Sequence, residues 1–302
     1  MKAIQPNLFI PGAAKSGTTS LHELLDLHPD ICMSTTKEPV FWNKNNNTDF
    51  KKISKYNALF KNKEAKIIGE STTSYMYFPD FISNVKENFS LAPKFIFILR
   101  NPIDRCYSHY WYLVGRGQEN RDFKTCLKED KKRDFTLYGY IPNYYYHFGR
   151  YGYWLQKFYE NFEARNIKII TLEQLKVNPL KTINDCFAFL NLDELDAIHE
   201  IKANKTKKIK HPTLYHTVKK TLSGKYSSTK ILKYVLPKKL RSRLKNKLIS
   251  NKLINKKEDL NYPELDLNQR RWIKSLYKED VKLLKHLTGI SFNEWSDFNN
   301  IK

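Results

Sequence analysis

Nine consecutive residues, Gly12-Ala13-Ala14-Lys15-Ser16-Gly17-Thr18-Thr19-Ser20, have the types and spacing needed to hold an anion. They follow the apolar run Asn7-Leu8-Phe9-Ile10-Pro11 and lead into an amphipathic stretch, so they read as a loop from strand to helix. A helix that starts there offers unpaired N–H groups and the positive end of its dipole. Gly17 lets the backbone approach an anion closely, and Lys15 brings a charge. Ser16, Thr18, Thr19 and Ser20 add hydroxyl donors. The pattern is not that of a nucleoside-triphosphate loop, in which Lys directly follows the second Gly and precedes Ser or Thr. Here Thr18 follows Gly17, and Lys15 precedes that glycine by two residues. The next clear strand ends in Arg100, not in an Asp that would hold Mg²⁺.

The elements that must position this loop are legible as alternating strands and helices. Strands are expected at 7–11, 66–70, 94–99 and 167–172, with Lys94-Phe-Ile-Phe-Ile-Leu99 the clearest buried one. Helices are expected at 18–27, 102–115, 151–162, 179–190 and 268–287. In the first of these Leu21, Leu24, Leu25 and Leu27 lie on or near one face, and His28-Pro29-Asp30 stops it. Pro102 suits the first turn of the helix it opens, and Trp295 is expected to anchor the C-terminus. Near-continuous apolar strands separated by helices predict an α/β fold, a parallel sheet flanked by helices on both faces. In such sheets ligands bind beyond the carboxyl ends of the strands.

The net charge of +22 is concentrated in one place. Residues 201–257 hold 19 Lys and Arg and no Asp or Glu, leaving 34 basic against 31 acidic residues elsewhere. Such a block attracts polyanions or anionic membrane surfaces, or is a tolerant Lys-rich insertion. Within it, 229–254 reads as a basic amphipathic helix interrupted near Pro237. It is expected to pack on its own domain, with lying on a membrane surface or capping the acceptor site as the other uses of such a helix. The whole chain, 1–302, is expected to form a single domain with this basic helical segment inside it. The four cysteines, Cys32, Cys106, Cys126 and Cys186, have no CxxC or metal-ligand spacing. The N-terminal stretch is too short and polar for a signal peptide. No stretch approaches the length of a membrane span. A cytoplasmic protein is therefore expected.

Ala14-Lys15-Ser16-Gly17-Thr18-Thr19, in this setting, resembles the 5'-phosphosulfate loop of sulfotransferases that use 3'-phosphoadenosine 5'-phosphosulfate (PAPS). About 85 residues on, Phe97-Ile-Leu-Arg100-Asn-Pro-Ile-Asp-Arg105-Cys-Tyr-Ser108 resembles the family's 3'-phosphate segment. The resemblance implies that Arg100 and Ser108 bind that phosphate, and the planar fork of Arg suits it. Lys37-Glu38-Pro39-Val40-Phe41-Trp42 is similar to a segment of the heparan sulfate and related glycan enzymes, which makes Glu38 the acceptor base. A carboxylate can take the proton of an attacking hydroxyl or amine, and aromatic neighbours would dry it and raise its pKa. Glu70, in Gly69-Glu70-Ser71-Thr72-Thr73-Ser74-Tyr75, is the rival. The glycan enzymes carry Lys where this chain has Ser71.

The function implied is transfer of a sulfuryl group to a hydroxyl or amine, with a glycan or another anionic molecule as acceptor and 3'-phosphoadenosine 5'-phosphate as product. Lys15 would stabilise the leaving phosphate. A sulfuryl group carries less charge than a phosphoryl group, so no metal is expected. The resemblance covers about 5–192 and 262–298, with Gly149-Arg-Tyr-Gly-Tyr-Trp-Leu155 as a further landmark. The alternatives are a P-loop nucleotide kinase or NTPase, and a non-enzymatic polyanion-binding protein. No recognised nucleic-acid motif is present.

Overall fold

A computed structural model describes residues 2–43, 49–133, 143–198, 207–209 and 257–300. In chain order these contain β1 (Leu8–Ile10), α1 (Thr18–Leu25), β2 (Ile31–Met33), α2 (Phe50–Asn57), β3 (Ile67–Ser71) and α3 (Pro79–Asn88). Then come β4 (Lys94–Leu99), α4 (Pro102–Gly115), α5 (Phe123–Lys132), α6 (Tyr151–Tyr159), β5 (Ile167–Thr171), α7 (Leu172–Val177) and α8 (Pro179–Leu190). Two short strands, β6 (Lys207–Ile209) and β7 (Lys257–Asp259), and the long α9 (Leu267–Thr288) complete the set.

Strands β1 to β5 form one parallel sheet in the order β2-β3-β1-β4-β5. The two-residue period of a strand sorts the apolar residues by shape. Leu8, Ile10, Ile96 and Ile98 join an aliphatic core with Leu21, Leu24 and Leu25 of α1 and Ile183, Phe187 and Leu190 of α8. Phe9 and Phe95 turn to the other face, where Phe81 lies 5.2 Å from Phe9 and Phe158 lies 5.5 Å from Phe95 by ring centroids. Both faces are buried, so the strand sequence reads as unbroken apolar. Chain connections leave β1 toward β2 and leave β4 toward β5. The loops after β1 and β4 therefore flank a switch point, where open α/β sheets bind ligands.

Helix ends follow local chemistry. Asn178 accepts the Lys181 amide at the start of α8, Pro179 fills the first position, and Asn191 closes the helix with φ of 60°. Asp266 and Gln269 form a capping box on α9. Gly152 of α6 sits against α9, where a Cβ would lie 2.5 Å from the Asp280 carbonyl oxygen. Asp280 accepts the Gly152 and Tyr153 amides at 2.9 and 3.0 Å, and burial pushes its pKa up to about 6. One expectation needs correction. Helix α1 stops at Leu25, and Leu27 is 42% exposed, so it does not share the buried face. Asp26 closes the helix instead and accepts the Met33 amide at 2.8 Å.

The chain divides into two compact units. The first, Met1–Cys106, Glu129–Ala203 and Leu265–Lys302, contains the whole parallel sheet. The second, Tyr107–Lys128 and Asn204–Glu264, contains the antiparallel pair β6–β7. In it Trp111 stacks on Tyr262 at 5.3 Å, and the Tyr107 hydroxyl donates to the Pro263 carbonyl at 2.8 Å. The stretch expected as a basic amphipathic helix, 229–254, lies outside the described residues, as does most of 201–257. The parts that are described, Lys207–Ile209 and Lys257, are strand and not helix.

Candidate active site

The loop after β1 is held from three sides within the first unit. Ala13 N donates to the Ile98 carbonyl at 2.8 Å and Ile98 N to the Gly12 carbonyl at 3.0 Å, which ties the loop to β4. Ala14 N donates to the Tyr77 hydroxyl at 3.3 Å. Tyr151, fully buried on α6, donates to the Arg100 carbonyl at 2.9 Å, and its hydroxyl lies 3.5 Å from Ser16 Oγ. One phenol thus joins the two segments singled out in the sequence.

Gly17 has φ of 93°, in the left-handed region that favours glycine. A Cβ there would also come within 2.7 Å of Leu172 Cδ1. Lys15 adopts φ of 69° without being glycine, a local strain that the surrounding bonds sustain. No side chain caps α1. Its first-turn amides are left for an anion. Ser16 is fully buried against Tyr151, whereas Thr18 and Thr19 sit on the first turn, with Ser20 beside them.

The sequence reading did not single out Lys37 as a site residue, yet it reaches this turn. Its ammonium donates to Thr18 Oγ1 and to Thr19 Oγ1, each at 3.0 Å. Burial lowers its pKa, with partial relief from Glu38 and Glu23. His22, on the same helix, is held neutral, its pKa lowered to about 4 by burial and by the Lys37 charge. Its Nδ1 lies 2.8 Å from Ser71 Oγ. Ser71, where the glycan enzymes carry Lys, therefore faces a neutral imidazole.

Glu38 follows with φ of 58°. Its amide donates to the Ser71 carbonyl at 2.8 Å. Thr73 donates to both carboxylate oxygens, from N at 3.0 Å and from Oγ1 at 3.1 Å. The residue reaches solvent, but the protein crowded around its carboxyl raises the pKa. Lys37 and the Thr73 bonds only partly offset that. Glu70 differs: it is fully buried, and burial pushes its pKa up to about 8. The hydroxyls of Tyr75 and Tyr56 face it and oppose that shift. Trp42 donates to those two hydroxyls, from N to Tyr75 at 3.1 Å and from Nε1 to Tyr56 at 2.9 Å. Phe41 stacks on Tyr56 at 4.1 Å. The aromatic pair expected to dry Glu38 instead joins the box around Glu70.

Arg100 ends β4. Among the described residues no side chain bonds or pairs with its guanidinium. Arg105 is fully buried and donates to the Tyr145 carbonyl, so it belongs to the interior. Ser108 and His109 are buried on α4 and fall in the second unit. Next to Arg100, Asn101 is fixed by charges from the C-terminal segment. Its side chain donates to Asp297 at 2.8 Å, and Arg270 bonds both Asp297 and, at 2.8 Å, Asp104. Glu173 accepts the Asn101 amide at 3.1 Å and Trp295 Nε1 at 3.2 Å. Trp295 is fully buried there, the anchor expected of it.

A parallel α/β sheet with an uncapped helix at its switch point, flanked by lysine and arginine, is an arrangement suited to an anionic ligand. Comparison with known proteins gives the family. Residues 5–284 match the family model described as a sulfotransferase domain, and the chain belongs to that family. It is 25% identical over 259 residues to human carbohydrate sulfotransferase 15, covering 67% of this chain and 46% of that protein. It is 27% identical over 211 residues to a bifunctional heparan sulfate N-deacetylase/N-sulfotransferase 1 of Caenorhabditis briggsae, covering 63% and 23%. The chain thus spans less than half the length of these relatives. A crystal structure of a sulfotransferase from Alicyclobacillus acidocaldarius shares the fold, with a TM-score of 0.67 at 21% identity, covering 97% of this chain and all of that one. Among the described residues no helix is long and apolar enough to cross a membrane, and no three His, Cys, Asp or Glu side chains cluster to hold a metal.

Proposed function

We propose that this protein transfers a sulfuryl group from PAPS to a hydroxyl or amine of an acidic glycan. The observation that carries this reading is the uncapped start of α1, with Lys15 and Gly17 in the loop before it and Arg100 at the end of the neighbouring strand. These groups fit a donor that carries phosphates at two ends. The loop amides, with Thr18 and Thr19, suit the 5'-phosphate, and by motif resemblance the 3'-phosphate falls to Arg100 and Ser108. Lys15 supports the charge that builds on the leaving phosphate. Glu38 takes the acceptor's proton as the acceptor oxygen or nitrogen bonds to sulfur. The bond from sulfur to the bridging oxygen breaks, and 3'-phosphoadenosine 5'-phosphate leaves with the electron pair. Glu38 is preferred to Glu70 as base because it is an exposed residue, whereas Glu70 is fully buried and holds its proton at neutral pH. The glycan acceptor is supported by the sugar-modifying relatives and by a net charge of +22.

Calorimetry with 3'-phosphoadenosine 5'-phosphate, beside ATP with Mg²⁺, tests the donor. Metal-independent binding of the bisphosphate and little binding of ATP are expected. A preference for ATP would replace this reading with a kinase or NTPase.

A further inference from the structure

We infer that Lys37 is a second cation for the 5' end of the donor, reaching it from the loop after β2 and not from the loop after β1. The inference deepens the PAPS reading and rests on it.

Lys37 Nζ lies 3.0 Å from the hydroxyl oxygens of both Thr18 and Thr19, the first two residues of α1. A lysine ammonium has three donors and no acceptor, so two are used and one remains. Cations are usually placed at the C-terminal end of a helix, because the N-terminal end carries positive partial charge. Lys37 sits at the wrong end, beside amides that no side chain caps. Among the described residues no carboxylate lies within ion-pair distance of it.

The neighbours do not resolve this arrangement. Glu38 is adjacent in sequence and eases the charge through its field, but its carboxylate bonds Thr73 and does not reach ion-pair distance of Lys37. Glu23 acts only through its field. His22 adds no charge, because burial and Lys37 itself keep it neutral. A half-buried ammonium with no carboxylate in ion-pair distance among the described residues, held against a positive helix end, is costly unless an anion completes the site. The two threonine hydroxyls fix its direction. When they accept from Lys37 their own protons point elsewhere, so ammonium, hydroxyls and amides can converge on one anion. Lys15 comes from the loop before the helix, so the same anion would be held from two sides.

Two ligands that differ only at the 5' end provide the test. Calorimetry would compare 3'-phosphoadenosine 5'-phosphate with adenosine 3'-monophosphate, using the wild type, Lys37→Met and Lys37→Arg, with melting curves as a check on folding. A charge-assisted bond of ordinary strength predicts that Lys37→Met loses about tenfold or more in affinity for the bisphosphate. It should keep wild-type affinity for the monophosphate, and Lys37→Arg should retain most of the bisphosphate affinity. Unchanged bisphosphate binding in Lys37→Met overturns the inference and leaves the donor reading standing. An equal loss for both ligands also overturns it, because Lys37 would then act only as a clip on α1. A wild type that binds neither ligand overturns the donor reading itself. Should Lys37→Met fail to fold, Lys37→Gln carries the same comparison with a side chain that can still donate to Thr18 and Thr19.

Discussion

On the β5 side of the sheet's carboxyl edge, Arg270 bonds Asp104 and Asp297, Asn101 bonds Asp297, and Glu173 accepts from Asn101 and Trp295. On the β1 side, α1 starts without a cap, and neither Lys37 nor the Arg100 guanidinium meets a carboxylate within ion-pair distance among the described residues. Both regions are rich in polar side chains on one sheet. The first is closed on itself: its charged and polar groups bond one another and fix Asn101, the residue after Arg100. The second leaves cations and amides waiting for a charge from outside. Paired charges here hold the backbone, and unpaired ones are left for a ligand. A binding site is costly to stability for this reason, and rigid, satisfied neighbours must offset that cost.

The same contrast separates the two carboxylates, and the largest expected effect tests it. Glu38→Gln should lower turnover by about a hundredfold or more while leaving binding of 3'-phosphoadenosine 5'-phosphate unchanged, since a general base contributes on that scale. As the proposed base Glu38 would work deprotonated, and crowding by the surrounding protein raises its pKa despite Lys37 and Thr73. The wild-type rate should therefore fall as pH drops through that raised value, a limb at higher pH than an ordinary glutamate gives. Near-normal turnover in the variant would remove Glu38 from the chemistry and return Glu70 to consideration.

Glu70→Gln should act on stability and not on rate. The folded protein holds the Glu70 proton up to about pH 8. The unfolded chain releases it near pH 4.3. With the folded pKa above the unfolded one, the stability this group provides is fully present below about pH 4.3 and is lost as pH rises toward 8. Within that window the loss approaches roughly 1.4 kcal/mol per pH unit. The glutamine variant carries no such loss, so its melting temperature should gain on the wild type as pH rises. A constant difference between pH 5 and 8 would mean that Glu70 is ionised in the folded state, against the neutral box described here.

How far these roles were legible in the sequence follows from how local each one is. Gly17 and Thr18 mark a helix start by their own chemistry, and Lys94-Phe-Ile-Phe-Ile-Leu99 marks a strand buried on both faces. Both expectations match the structure to the residue. Strand β2 was missed because three residues, Ile31–Met33, are too short a run for any period to show. Helices α2, α3 and α5 were passed over amid Lys and Asn that mask their apolar faces. The pairing of Lys37 with Thr18 and Thr19 spans 18 to 19 residues and depends on the loops after β1 and β2 meeting. No spacing rule encodes it, although its place beside Glu38 was a signal that could have been followed. Tyr151 was quoted as a landmark, but its bond to Arg100 belongs to tertiary structure. The Phe41–Trp42 pair shows the limit from the other side. Adjacency in sequence suggested that it served Glu38, whereas the fold turns it toward Tyr56 and Tyr75.

The smallest expected effects come from two arginines on either side of the opening comparison, and they should split cleanly. Arg270→Ala removes a side chain that is about a quarter exposed and bonded to two carboxylates. It should cost about 1–3 kcal/mol of stability, the range for a charge-assisted network that is partly buried, seen as a lower melting temperature. Affinity for 3'-phosphoadenosine 5'-phosphate should change little, because Glu173 still holds the Asn101 amide. Arg100→Ala removes a guanidinium with no protein partner among the described residues, so stability should stay within about 0.5 kcal/mol of wild type. Its affinity for the bisphosphate should fall about tenfold or more, with turnover at saturating donor nearly kept. If both variants lowered stability and affinity together, the paired and unpaired regions would be one mechanical unit. The division drawn between holding the fold and holding the donor would then be wrong. If they split, the presence or absence of a counter-ion is enough to sort the charged residues on this edge by role.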